Sequence, residues 1–153
     1  MEFTPMNPET LAKAGTEHAH QVAFFAWCAM AMNHGFANAA TDAAYTTAGC
    51  PYASTPVPTL DLIHAVHNQG HGDKVRGARA KAEGVRKGIP DIFWPLGRGG
   101  RNGLYIELKK PKDGRLSPEQ RVVIDKLRDR NYAVVVAYGW HEAAQAVVDY
   151  YCS

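Results

Sequence analysis

An uninterrupted apolar strand signal near the C-terminus constrains the fold more than any other feature of this sequence. Residues 132–138 read YAVVVAY, a run rich in β-branched side chains, which is typical of a strand buried within a sheet. A strong helix start precedes it, with Ser117 at the N-cap, Pro118 at the first helical position and Gln120 at the third, which predicts a capping box. The sequence therefore predicts a helix that ends near Arg130 and is followed directly by a buried strand.

Two shorter strands precede that helix, and we predict that they form a hairpin. Residues 91–96 (DIFWPL) and 104–110 (LYIELKK) have the composition of strands, and residues 97–103 between them are rich in turn formers. Together with the remaining elements, this order predicts an α/β domain in which a mixed β-sheet is flanked by α-helices. The remaining predicted elements are a helix from Thr16 to about Asn33, a strand at 60–68, a short basic helix at 75–85 and a helix at 140–151.

Length and composition are those of a single domain. The chain has 153 residues, of which 46% are hydrophobic. A chain of this size can bury a core without the support of disulfides or metal ions. We expect residues 1–15 to be a loose lead-in and residues 16–153 to form the domain. Residues 36–59, which contain three prolines, are predicted to be a long loop or an insertion.

Cysteine usage and hydropathy bear on the compartment. The three cysteines are odd in number and include no CxxC pair, which argues against a disulfide framework or a zinc ribbon and favours a reducing cytoplasm. The N-terminus lacks the pattern of a secretory signal. The most apolar stretch, residues 22–32, is shorter than the roughly 20 residues that span a bilayer. We therefore expect a cytoplasmic protein without a membrane partner.

Charged residues interrupt both strands of the predicted hairpin, where a buried sheet normally excludes them. Because side chains alternate along a strand, Tyr105, Glu107 and Lys109 project to one face. Asp91 begins the neighbouring strand and can lie beside Glu107, since paired strands are about 4.8 Å apart. The Cα atoms of Glu107 and Lys109 are separated by about 6.6 Å, which predicts that their charges act on one substrate group without close contact with each other.

This arrangement predicts a site for a divalent metal ion. Two adjacent carboxylates repel each other unless a cation lies between them, and Mg²⁺ binds carboxylate oxygens together with water and phosphate. The predicted ligands are Asp91, Glu107 and the backbone carbonyl of Leu108. Such a metal activates water and offsets charge in phosphoryl transfer, and Lys109 can position the water or offset charge on a phosphate oxygen.

The same residues resemble a known nuclease family. Pro90-Asp91 followed by Glu107-Leu108-Lys109 resembles the PD-(D/E)XK superfamily, and the stretches AEGVRKGIPDIF, GLYIELKKPKDGRLSPEQ and EHAHQVAFFAWC are similar to the virus-type replication-repair nuclease (VRR-NUC) family. The resemblance covers most of the domain and implies a restriction-endonuclease-like fold and a Mg²⁺- or Mn²⁺-dependent nuclease. It also implies a homodimer that cuts branched DNA, including four-way (Holliday) junctions, in a bacterial or phage-infected cell.

The resemblance implies further roles by position. It assigns metal ligation to the two acids of the hairpin and the role of catalytic lysine to Lys109. Glu17 matches an acidic residue that assists at the metal, and Gln120 matches a polar residue near the site. Asn68 falls where the family often has Asn-Gly, although this sequence reads Asn-Gln-Gly. Structural alternatives stay open, because Glu17 also favours the helix dipole and Gln120 also completes the capping box.

Basic residues flank the predicted site on both sides in the sequence. The net charge is only +2, but basic runs beside a phosphate site are typical of contacts with the DNA backbone, which position DNA without reading its sequence. No recognition helix is evident, which favours recognition of DNA shape. The predicted DNA-binding residues are Lys74, Arg76, Arg79, Lys81, Arg86, Lys87, Lys110, Lys112 and Arg115.

Other functions remain open at this point. An end-directed exonuclease or a flap nuclease would use the same acids, whereas a DNA-binding module without catalysis has no need of the acid pair and the lysine together. A restriction-type endonuclease would need contacts that read the sequence. His64, His67 and His71 invite comparison with a zinc or HNH site, but the predicted strand turns His64 and His67 to opposite faces.

Overall fold

A mixed β-sheet forms the centre of the molecule in the computed structural model, which describes residues 6–39, 45–67 and 74–153, with the backbone alone for 74–76. Within these ranges the sheet has four strands in the order β1-β2-β3-β4. Strands β1 and β2 and strands β2 and β3 are antiparallel, whereas β3 and β4 are parallel, which confirms the predicted mixed sheet. The strands are β1 (His64–Ala65), β2 (Ile92–Trp94), β3 (Leu104–Lys109) and β4 (Ala133–Tyr138).

Helices cover both faces of this sheet. Helices α2 and α5 pack together on one face, and α4, which connects β3 to β4, packs against β4. Within the described ranges, none of the helices combines the length and the hydropathy that a membrane-spanning helix needs. The helices are α1 (Pro8–Leu11), α2 (Glu17–His34), α3 (Lys74–Ala82), α4 (Pro118–Asp129) and α5 (Trp140–Cys152), and shorter 3-10 turns lie at Ala12–Ala14, Phe36–Asn38 and Pro58–Leu62.

The connection from α4 to β4 forms as the sequence predicts. The Ser117 hydroxyl accepts the N–H of Gln120 at 3.1 Å, and the Gln120 side chain accepts the N–H of Ser117 at 2.8 Å, so the capping box is complete. Asn131, just beyond the helix, has a left-handed backbone with φ of 66°, which asparagine tolerates better than most residues. These local signals set where β4 begins and therefore align it with β3.

The hydrophobic core lies between the sheet and the layer formed by α2 and α5. Ile106 and Leu108 of β3 are fully buried there, together with Trp27 of α2 and Trp140 of α5. Burying a side chain such as Ile106 contributes about 1.5–3 kcal/mol. This packing fixes one face of β3 against the helices and leaves its other face to carry Glu107.

The strand predicted at 60–68 is wrong over most of its length. Among the described residues of that segment, 60–67, only His64–Ala65 pairs with β2, and Pro58–Leu62 forms a 3-10 helix instead. Pro58 favours this outcome because its ring fixes φ near the helical value and because it has no N–H for a sheet ladder. Ile63, which lies between this 3-10 helix and β1, is buried in the core.

Part of the predicted loose lead-in is helical. Pro8–Leu11 forms α1, and the Asn7 side chain caps it by accepting the N–H of Glu9 at 3.0 Å. Glu9 also forms an ion pair with His141 of α5, and Ala12 is buried in the core. These residues therefore pack on the domain rather than precede it as a loose segment.

A disulfide joins Cys50 to Cys152, which contradicts the expectation drawn from the cysteine count. The two Cα atoms are 5.3 Å apart, although the residues are separated by 102 positions in the sequence. The loop that carries Cys50 is held against α5, because the N–H of Thr46 donates to the Gln145 side chain at 2.7 Å. Proximity in space decides such a pairing, and neither the number nor the spacing of cysteines reveals it.

Candidate active site

Asp91 is fixed by hydrogen bonds on both sides. The register of the hairpin pairs Ile92 with Ile106, so Asp91, just before β2, lies beside the end of β3. Its Oδ2 accepts the N–H of Leu108 at 2.8 Å, and its backbone carbonyl accepts the N–H of Val66 at 2.7 Å. The carboxylate is therefore held in place by main-chain groups of two neighbouring segments.

Pro90 removes the donor that the sheet would otherwise place opposite the Leu108 carbonyl. Extending the register by two residues beyond Ile92 and Ile106 would place Pro90 opposite Leu108. Proline has no N–H and cannot donate to that carbonyl, while the N–H of Leu108 is bound by the Asp91 side chain. Because the N–H and the C=O of a strand residue point to the same side, the Leu108 carbonyl lies on the side of Asp91.

Glu107 is almost completely enclosed, with 1% of its surface exposed. Its Oε1 accepts a hydrogen bond from Gln120 Nε2 at 2.6 Å and lies 3.1 Å from Lys109 Nζ. Its Oε2 is buried and has no hydrogen-bond partner among the described residues. Burial, followed by the charge of Asp91, raises the pKa of Glu107 to about 7, and the charge of Glu17 acts in the same direction, whereas Lys109 opposes it.

These residues fit a divalent cation. The donors are two carboxylates and a backbone carbonyl, all of them oxygen, which Mg²⁺ and Mn²⁺ prefer. A cation would relieve the repulsion between Asp91 and Glu107 and would provide a partner for Oε2. Within the part of the chain that the structure describes, no three acidic, histidine or cysteine side chains form a complete metal cage. A cation held here therefore also needs water or substrate oxygens, which Mg²⁺ usually keeps.

Lys109 corrects one detail of the prediction, because it forms a direct ion pair with Glu107 rather than standing apart from it. Both side chains lie on the same face of β3 and are buried, with 8% of Lys109 exposed. In such surroundings an ion pair offsets part of the cost of removing each charge from water. The loop after β3 closes over the lysine, since a Cβ at Gly114 would lie 2.8 Å from the Lys109 Cβ, so only glycine allows this approach.

Gln120 and Glu17 both act on Glu107, through different means. The amide oxygen of Gln120 belongs to the capping box with Ser117, while its Nε2 donates to Glu107. One side chain thus serves both roles that the sequence leaves open. Glu17 is the first residue of α2 and is exposed, and its charge raises the pKa of Glu107 less than that of Asp91 does.

The basic residues closest to the site in sequence are exposed, and they lie before it and after it along the chain. The first group, Arg86 and Lys87, lies in the segment before β2. That segment is held against the first turn of α4, because a Cβ at Gly88 would lie 2.8 Å from the Glu119 carbonyl. The second group is exposed in the loop after β3 and consists of Lys110, Lys112 and Arg115.

The more distant basic residues lie on α3. Arg79 and Lys81 are exposed there, and Arg79 is 4.0 Å from Glu83, so part of this charge is already paired. The side chains of Lys74 and Arg76 lie outside the described residues, as do Asn68 and His71.

Fold and site together define a nuclease of the PD-(D/E)XK type, in which neighbouring strands of a mixed sheet carry Pro-Asp and Glu-x-Lys. A family model described as the VRR-NUC domain matches residues 39–140. A solved structure, of a VRR_NUC domain protein, is similar with a TM-score of 0.54 and 30% sequence identity, over 63% of this chain and 72% of that chain. The chain therefore belongs to the VRR-NUC family. No curated protein sequence matches it significantly.

Sequence reasoning missed two features near the site. His20 of α2 accepts the N–H of Trp140 at 3.1 Å and so holds the start of α5, a contact across 120 positions that no local pattern signals. Aromatic rings surround Tyr105 on the face of Glu107. A signal for these rings exists in the alternation of β2, where Phe93 stands between two buried residues.

Proposed function

We propose that this protein is a Mg²⁺- or Mn²⁺-dependent endonuclease that hydrolyses phosphodiester bonds in branched DNA, including four-way junctions. Membership of the family supplies the nuclease class, and the metal and the branched substrate are the proposal. The observation that carries the metal is the state of Glu107, whose enclosed Oε2 has no partner within the described residues and whose pKa is raised by burial and by Asp91. A divalent cation at this position would give Oε2 a partner and would offset the repulsion between Glu107 and Asp91.

Each residue of the site has a distinct task in this proposal. Asp91, Glu107 and the Leu108 carbonyl would hold the cation, with Glu17 assisting from α2. When bound, the cation lowers the pKa of a coordinated water and offsets charge on the phosphate. Gln120 and Lys109 both occupy Oε1 of Glu107, which leaves Oε2 for the cation. The ammonium group of Lys109 adds positive charge where the phosphate would be attacked.

The distribution of charge supports recognition of the shape of DNA rather than of its base sequence. The two exposed basic groups, one before β2 and one after β3, border the acids on both sides in the chain. Contacts of this kind reach phosphates and leave base edges unread. Replacing Lys87 by alanine is expected to weaken binding of every DNA. The dependence of the affinity on salt concentration should decrease by about the amount that one phosphate contact contributes.

A homodimer that acts in a bacterial or phage-infected cell completes the proposal. A two-fold dimer has two identical sites, and a four-way junction offers two equivalent strands, so the symmetries correspond. Gel filtration with light scattering is expected to give twice the 16.7 kDa of one chain. A monomeric mass would remove the dimer from the proposal and leave the chemistry of the site standing.

Cleavage of defined substrates tests the reaction itself. We would incubate the protein with a four-way junction, a flap, a linear duplex and a single strand, in Mg²⁺, in Mn²⁺ and in EDTA. Symmetric paired cuts in the junction in either metal, and none in EDTA, are expected. Stepwise shortening of ends would instead support an exonuclease, and binding without cleavage in both metals would support a DNA-binding module.

Substitutions connect the cleavage to the proposed residues. Glu107→Gln and Lys109→Ala are expected to lower the cleavage rate by at least about a hundredfold, which is typical for the loss of a positioned acid–base or electrostatic group, while most DNA affinity remains. Asp125→Asn removes an exposed carboxylate of α4 and serves as the matched control, with cleavage expected to be unchanged. Equal losses in all three variants would contradict the assignment of the site.

A further inference from the structure

Four aromatic side chains form a row across the sheet, on the face that carries Glu107. This aromatic row consists of His64 in β1, Phe93 in β2, Tyr105 in β3 and Tyr132 just before β4. The strand register pairs His64 with Phe93 and Phe93 with Tyr105. Ring centroids are 5.8 Å apart in the first pair and 4.3 Å in the second, and Tyr105 lies 5.4 Å from Tyr132.

The aromatic row is not part of the hydrophobic core. Ile92 and Trp94, on either side of Phe93, are fully buried against the opposite layer. By contrast, His64 is exposed, and Phe93, Tyr105 and Tyr132 are half-buried. Helix α4 lies on this face, where Gln120 contacts Glu107, and packs against β4, while the rings of the first three strands keep exposed surface. Partly exposed aromatic surface of this kind is typical of a binding site.

The aromatic row is continuous with the active site. Asp91 stands two positions before Phe93, and Glu107 stands two positions after Tyr105. Residues two apart on a strand share a face and lie about 6.6 Å apart. Each of the two acids therefore has an aromatic ring next to it on the same face. A strand of DNA whose phosphate reaches the acids brings its neighbouring nucleotide to the rings.

We infer that the aromatic row binds an unstacked base beside the phosphodiester that is cut. This inference rests on the proposed function, because a branched DNA offers unpaired or splayed bases at its branch point, whereas a continuous duplex keeps its bases stacked. Every base has a π-face, so stacking on aromatic side chains tolerates any sequence. The exposed Arg86 and Lys87 add positive charge for the phosphates of the same strand.

A fluorescent base reports such stacking in the unaltered row. The full chain carrying Glu107→Gln would be mixed with a four-way junction and with a duplex bearing a single-stranded arm. Each substrate carries 2-aminopurine at one position near the branch, and a fully paired duplex of the same sequence is the control. Quenching at one position beside the cut site, absent in the paired duplex, is expected. Equal fluorescence changes in all three DNAs would overturn the inference.

Substitutions within the row test the same contact by affinity. Phe93→Leu and Tyr105→Leu remove a ring while keeping an apolar side chain, and each is expected to weaken binding of branched DNA about ten- to a hundredfold. Tyr105→Phe keeps the ring and is expected to bind as the unaltered protein does. Tyr52→Leu removes an exposed ring outside the row and is the matched control. The salt dependence of binding should stay unchanged, since stacking releases no counterions.

Two outcomes of the affinity series would overturn the inference. One is an equal loss of affinity for branched DNA and for paired duplex in the leucine variants, and the other is a loss in Tyr105→Phe as large as in Tyr105→Leu. Failure of the proposed function gives a different result. If junctions show no paired cuts while the quenching and the leucine effects persist on a single-stranded arm, the row binds bases and the endonuclease proposal falls.

Discussion

Glu107 holds a proton more tightly in the folded protein than in the unfolded chain. Its pKa is raised from the ordinary value of 4.5 to about 7, first by burial and then by Asp91. Between these two values the folded state binds more protons, so the free energy of unfolding decreases as the pH rises from about 4.5 to about 7. The difference between the two pKa values corresponds to at most about 3 kcal/mol.

The pH dependence of stability in the absence of metal therefore tests the environment of Glu107. In EDTA, Glu107→Gln is expected to lose this part of the pH dependence and to become more stable than the unaltered protein above pH 7, by up to about 3 kcal/mol. Urea denaturation at pH 5 and pH 8 measures both proteins. Parallel pH dependence of the two would show that Glu107 titrates normally. Adding Mg²⁺ at pH 8 should restore stability to the unaltered protein alone.

Substitutions of Ser117 and Gln120 distinguish the role of Gln120 in the helix cap from its role in the active site. Ser117→Ala removes the hydroxyl that accepts the N–H of Gln120 and leaves the bond between Gln120 and Glu107, whereas Gln120→Ala removes the side chain that accepts the N–H of Ser117 and donates to Glu107. Each variant is expected to lower the free energy of unfolding by about 1 kcal/mol. Only Gln120→Ala should also slow cleavage at saturating metal, because Oε1 of Glu107 loses a donor. Similar cleavage rates for the two variants would show that Gln120 acts in the helix cap and not in the active site.

Single residues show where sequence spacing stops being informative. The approach of Asp91 to β3 follows from the hairpin register, which strand alternation and turn residues predict locally. The ion pair of Lys109 with Glu107 does not follow, because the Cα spacing of about 6.6 Å ignores the reach of a long side chain. The bond from Gln120 to Glu107 joins a helix to a strand, so neither element alone reveals it.

Among the elements, α5 depends on a distant residue for its start. Its N-cap, Gly139, has no side chain, and the His20 ring accepts the N–H of Trp140 instead. Burial, and then the charge of His141, lowers the pKa of His20, so the ring is neutral and able to accept. The N–H of Gly139 donates to the Lys109 carbonyl at 2.9 Å. His20 thus connects α2 to the end of β3 through this junction.

Two substitutions of His20 test this connection. His20→Leu leaves the N–H of Trp140 buried without an acceptor and is expected to lower the free energy of unfolding by about 1–3 kcal/mol. His20→Asn keeps an acceptor near the position of Nδ1 and is expected to restore at least half of that loss. Chemical denaturation at pH 8 measures both variants. Equal destabilisation by leucine and asparagine would assign the effect to packing rather than to the hydrogen bond.

Elements with local signals were predictable, and elements without them were not. The caps at Thr16 and Ser117 predicted α2 and α4, and the apolar run at 132–138 predicted β4, because each signal lies within the element it starts. The short strand His64–Ala65 exists only through its pairing with β2. Helix α1 similarly depends on its contact with α5 through Glu9. Partners distant in sequence decide such elements.

At the scale of the whole molecule, α5 is held by other parts of the fold at both of its ends. Its first residue, Trp140, is held beside the active-site strand, and its last, Cys152, is joined to Cys50. A helix rises about 1.5 Å per residue, so the two ends are roughly 20 Å apart. The disulfide therefore stabilises the fold at the end remote from Glu107 and should not influence the chemistry directly.

Reduction of the disulfide tests this separation of stability from catalysis. The bond closes a loop between residues 102 positions apart, and disulfides of this kind contribute typically about 2–4 kcal/mol by restricting the unfolded chain. Reduction is expected to lower the Tm by about 5–15 °C, and cleavage of junctions well below the new Tm is expected to be unchanged. Cys50→Ser should match the reduced protein and show no further response to reductant. Loss of cleavage in reduced protein that is still folded would show that the C-terminal end of α5 is coupled to the acids.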